Sequence, residues 1–164
     1  MGKQKGFSLI ELLIVVAIIL IIAAIAIPNL LRARIAANEA SAVASVRTIN
    51  TAEISYNSSY PTVGFAAALS NLGPGGITTA CPAPPTTAAS CLIDGQLASG
   101  TKSGYTFKAT GTGGTPASTY FAYGNPLTAN STGVRSFCSV QDAVVRVAGT
   151  SAVSTCAGTE TPLQ

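Results

Sequence analysis

The apolar and polar positions change their pattern twice along the chain. From Phe7 to Leu31 almost every position is apolar, and sixteen apolar residues follow one another from Leu12 to Ile27. Such a run has no polar face. Taken as a helix over residues 7–28 it is 22 residues long. That is about 33 Å at 1.5 Å per residue, a match to a bilayer hydrocarbon core of about 30 Å. A single segment in lipid must satisfy its own backbone, which a helix does. Residues 32–60 continue the helical period but become two-faced. Ala42, Val46, Ile49 and Tyr56 fall on one stripe flanked by Val43 and Ile54, and Arg34, Ser41, Ser45, Thr48 and Ser55 lie largely away from it. This half needs a partner for its apolar face. Pro61 ends it, because the residue before a proline is pushed out of the helical region. Pro28 removes one N–H donor and crowds the turn before it, so a kink is expected there.

Beyond residue 60 the period changes again. Residues 61–100 read as irregular, with turn and polyproline signals in "GPGG" (73–76) and "CPAPPTTAASC" (81–91). After residue 100 come short segments of strand character: "YTFKAT" (105–110), "TYFAYG" (119–124), "VRSFCSV" (134–140) and "AVVRVAG" (143–149). Turn formers separate them, which predicts an antiparallel sheet of about four strands. The fold class is therefore α+β, a long N-terminal helix whose second half covers one face of a small sheet.

Composition narrows the function. Charged residues make up 9% of the chain, against about 25% in an average soluble domain. The net charge of +3 falls to +1 without Lys3 and Lys5, seven basic side chains against six acidic. Lys102, Lys108, Arg135 and Arg146 are scattered, so nucleic acid is not indicated as a partner. Histidine is absent and aspartate occurs twice, at Asp94 and Asp142. That inventory argues against a metal centre, a cofactor site or a catalytic triad, and so against an enzyme. Cys81, Cys91, Cys138 and Cys156 are even in number and lack a C-x-x-C spacing, which predicts two disulfides in an oxidising compartment. Four cysteines allow three connectivities. Cys81–Cys91 and Cys138–Cys156 are expected, one bracketing the proline-rich loop and one clamping the tail to a strand. Crossed pairs such as Cys81–Cys156 stay open.

Glu11 is the anomaly of the apolar run. An ionised carboxylate within a bilayer costs about 2.5–3.5 kcal/mol on insertion scales and marks function by default. A secretory signal peptide would explain Lys3, Lys5, the apolar stretch and the "AIA" at 24–26. A plain membrane anchor would explain the length. Neither explains Glu11. Orientation by charge is tied, with Lys3 and Lys5 before the run and Arg32 and Arg34 after it.

"K-G-F-S-L-I-E-L-L" (5–13), the unbroken apolar stretch and "I-P-N" (27–29) together resemble the class III signal of type IV prepilins. "RTINTAEISYNSSYPTVGFA" (47–66) is similar to small bacterial pilins that end the helix at a Tyr-Pro step. The resemblance implies a leader peptide over 1–6, a transmembrane and filament-core helix over 7–31, the amphipathic half of that helix over 32–60, and a globular head over 61–164. It implies cleavage after Gly6 by a prepilin peptidase on the cytoplasmic side, N-methylation of Phe7, an assembly role for Glu11 and a helix kink at Pro28. The implied partners are copies of the same chain in a helical filament, the peptidase, and an inner-membrane assembly platform with its motor. The chain would wait as a single-pass protein of the bacterial inner membrane and end in an extracellular pilus. Two other roles fit the same architecture: a pseudopilin of a type II secretion system, or a minor pilin acting as an adhesin or DNA-uptake module.

Overall fold

A computed structural model of the chain describes residues 6–76 and 80–163. Lys3, Lys5 and the rest of the expected leader before Gly6 lie outside the described residues. The chain divides into two compact units, one ending at Arg34 and one beginning at Ile35. One helix, α1 (Leu9–Ser59), contributes to both. It continues through Pro28. Because proline lacks an N–H, the Ala24 carbonyl has no donor four residues on.

In the second unit α1 packs on an antiparallel sheet. The sheet has six strands, not four: β1 (Thr101–Lys102), β2 (Tyr105–Thr112), β3 (Thr119–Pro126), β4 (Ser136–Val140), β5 (Arg146–Gly149) and β6 (Thr161–Pro162). They lie side by side in chain order. The two strands missed from sequence are the edges. Each holds two residues, too few for an alternating pattern to register. The region expected to be irregular holds two short helical turns, a 3-10 turn at Leu69–Leu72 and α2 (Gly95–Ala98). Asp94 caps α2, its side chain accepting from the Leu97 amide at 2.9 Å.

The core lies between α1 and the sheet. Ala42, Val46, Ile49 and Tyr56 are buried against Tyr105, Phe107, Tyr120 and Phe137. Leu69, Leu72, Ile93 and Leu97 extend the same cluster beneath the irregular region. Two stripe assignments change. Ile54, expected to flank the stripe, is 53% exposed, and Ser45, expected to lie away from it, is buried. With 3.6 residues per turn, Ile54 has rotated past the covered arc and Ser45 falls beside Val46 and Ile49 within it. β2 and β3 form the main hairpin, paired from Tyr105↔Pro126 to Thr112↔Thr119.

Candidate functional site

The sequence-predicted residues of the N-terminal unit lie at the start of α1. Gly6, Phe7 and Ser8 are exposed and outside regular structure, so the Gly6–Phe7 peptide bond stands clear of the helix. Phe7 is 79% exposed. From Phe7 to Leu31 every large apolar side chain is exposed. Leu9–Ser59 includes a window long and apolar enough to cross a membrane.

Glu11 has a defined local partner. Its Oε2 accepts a hydrogen bond from the Ser8 amide at 3.0 Å. Ser8 precedes the first helical residue and Glu11 is the third, which is the reach-back half of a capping box. The Leu12 amide donates to the Ser8 carbonyl at 3.3 Å, closing the first turn. A carboxylate here also meets the positive end of the helix dipole. Sequence reasoning missed this contact, although S-x-x-E before an apolar run announces it. Chemically, the arrangement holds an acceptor one turn from Phe7, where a new α-amine would appear on cleavage after Gly6.

The second unit contains a different set of polar residues, of which sequence reasoning singled out only Tyr56, for its place on the apolar stripe. Along α1, besides Ser41, which donates to Ser103 Oγ at 3.0 Å, five side chains each take hold of a connecting segment. Asn38 Nδ2 donates to the Thr132 carbonyl at 2.8 Å. Glu39 accepts from the Val134 and Arg135 amides at 3.0 and 3.1 Å and pairs with the Arg135 guanidinium at 2.7 Å. Asn50 donates to Ser139 Oγ at 2.9 Å and to the Ala143 carbonyl at 3.1 Å, and accepts from the Tyr120 hydroxyl. Glu53 accepts from the Ala66 amide at 2.9 Å. Tyr56 donates to the Thr87 carbonyl at 2.8 Å. The signal for them was polar residues recurring inside an apolar stripe. Burial pushes the Glu39 carboxyl up, but the Val134 amide and the Arg135 side chain and amide outweigh it and hold the group below the ordinary range.

Cys81 is bonded to Cys91 and Cys138 to Cys156, with Cα separations of 5.9 and 5.8 Å. The first bridge closes the proline-rich loop, and the second fastens the tail to β4. Cys138, Cys156 and Glu160 cluster closely enough to suggest a metal site. The two sulfurs are spent on each other, so these residues do not offer a thiolate pair to a metal.

The family model for the prokaryotic N-terminal methylation motif matches residues 1–27. A stretch of 39 residues is 67% identical to the type IV wide pilus major component PilA4 of Thermus thermophilus, covering 24% of this chain and 30% of that protein. A stretch of 54 residues is 45% identical to the type IV major pilin protein PilA of Myxococcus xanthus, covering 33% of this chain and 24% of that one. The likeness therefore spans less than a third of either relative's length. No solved structure matches the chain. Motif, uncovered apolar helix and glutamate come together in one segment, and that N-terminal segment is similar to those of the type IV pilins it matches.

Proposed function

We propose that this chain is a structural subunit of a type IV pilus. It is cleaved between Gly6 and Phe7, N-methylated at Phe7, and polymerised through its N-terminal helix. The observation that carries the reading is Glu11, a carboxylate at the opening of a helix whose large apolar side chains are uncovered as far as Leu31. In lipid that group is costly. After cleavage the α-amine of Phe7 from one copy can lie beside Glu11 of another, and a buried carboxylate paired with an ammonium costs much less than one left alone. The pair favours the bundle over the dispersed monomer and fixes axial register.

The role is mechanical and not enzymatic. The subunit waits as a single-pass protein of the inner membrane, meets the prepilin peptidase and the assembly platform with its motor, and leaves as part of a surface filament. Mass spectrometry of purified filaments tests this. The expected N-terminus is Phe7 carrying one methyl group on its amine. A mature chain beginning at Ile27, after "AIA", identifies a secreted soluble protein and removes the pilin reading.

A further inference from the structure

Glu53 is the buried group that the assembly reading leaves unused. Its side chain is wholly buried. One carboxyl oxygen accepts from the Ala66 amide, and the other, Oε1, has no hydrogen-bond partner among the described residues. Ala66 is itself a junction. Its carbonyl accepts from the Gly111 amide at 2.7 Å, and the Phe65 amide donates to the Ala117 carbonyl at 3.1 Å. Residues 63–66 thus form a strap from α1 to the tip of the β2–β3 hairpin. Gly111 has no side chain because one would not fit. A Cβ there would stand 2.8 Å from the Phe65 carbonyl oxygen and 2.9 Å from that of Ala66.

The groups around Glu53 do not neutralise it. Tyr56 on α1 and Tyr120 on β3 both feel its charge. Tyr60 at the start of the strap and Asp142 on the β4–β5 turn are the other titratable groups of this neighbourhood, acting on Tyr56 and Tyr120 respectively. None is a base, so none of them offers Glu53 an opposite charge. An ionised carboxylate with an orphan oxygen in such a site is expensive, while a protonated one loses little. Burial accordingly pushes the Glu53 carboxyl up to about 7, against the lowering pull of the Ala66 amide.

We propose that Glu53 is a proton-operated latch: with its proton on, it holds the 63–66 strap and the hairpin tip on α1, and on losing the proton it lets them loosen. This goes beyond the pilus reading and does not depend on it. The sign follows from linkage. The folded group holds its proton to higher pH than an unfolded one, so stabilisation is full below the ordinary value of 4.5 and declines as pH rises toward about 7. Opening of the strap then increases about tenfold per pH unit across that window and levels off above it.

The test is amide hydrogen exchange on the full mature chain in detergent micelles from pH 5 to pH 8, corrected for the intrinsic rate. Ala66 and Gly111 should lose protection by more than tenfold over that range, while the amides of β4 stay level. Glu53→Gln should flatten the pH dependence at Ala66 and Gly111. If that variant does not fold, β4 in the wild-type chain remains the internal control. Flat protection at Ala66, equal loss in β4, or a Glu53→Gln profile as steep as wild type each overturns the latch.

Discussion

The two halves of α1 obey opposite rules. Before Arg34 the large apolar side chains are all exposed, and the acidic residue bonds within its own first turn. After Ile35 the apolar stripe Ala42, Val43, Val46, Ile49 and Tyr56 is covered, Ile54 staying exposed, and Glu39, Asn50 and Glu53 are buried with it. The first half is written for a solvent other than water, so its chemistry is spent on what will surround it. The second half already has its surroundings, and its polar residues hold them in place. The carboxylate in the first half is bonded to an amide of its own first turn. A carboxylate in the second half is matched to a backbone amide that the fold supplies.

The sharpest way to break this contrast is Glu11→Val. We expect a processed, membrane-inserted subunit that fails to enter filaments when it is the sole copy, seen as loss of piliation by electron microscopy with the protein still in the membrane fraction. Normal piliation would make Glu11 as dispensable as any apolar neighbour. Next is Glu39→Ala, which strips the Val134 and Arg135 amides and the Arg135 guanidinium of one shared acceptor. We expect a loss of about 2–3 kcal/mol in head stability, read by thermal melting of the full chain in detergent.

The pH response of Glu39 has the opposite sign to that of Glu53. Its folded carboxyl titrates below 4.5, so its stabilisation is present above that value and lost as pH falls. Glu39→Gln should therefore blunt acid destabilisation and leave the response between pH 5 and 7 unchanged. A smaller and local effect is expected at Pro28. In filaments the helix should loosen between residues 22 and 34, and a continuous regular helix there in a filament structure would contradict this. Smallest of all, Ile54→Ala should change head stability by less than about 0.5 kcal/mol, because the side chain is 53% exposed. A larger loss would put Ile54 back in the stripe.

The helix was legible because hydropathy is a long-range pattern, repeated over 51 residues. The sheet was legible where strands were long enough to alternate, and β1 and β6 were not. Of the site, Glu11 could be read because a carboxylate breaks an otherwise apolar run, and Phe7 only through the resemblance of "K-G-F-S-L-I-E-L-L" to a prepilin signal. The Ser8 contact was equally local and was overlooked. Glu39 and Glu53 were invisible for another reason. Glu39 is bonded across the fold to Val134 and Arg135, and a partner 95 residues away leaves no mark on the spacing around it, while Glu53 reaches Ala66, 13 residues on and past the end of the helix. The cysteine pairing lies between these cases, since spacing left the connectivity open and the fold joins neighbours in sequence.

The short edge strands have a further consequence. On the pilus reading, the subunit would be held at high local concentration among its copies, where exposed strand edges invite pairing of another kind. β1 and β6 present two residues each, while ordered cross-β stacking draws on segments of about six. The sheet is thus a poor template for its own fibrillation. On that reading, association would be left to the helix, and the surface that polymerises would differ from the one that must never do so.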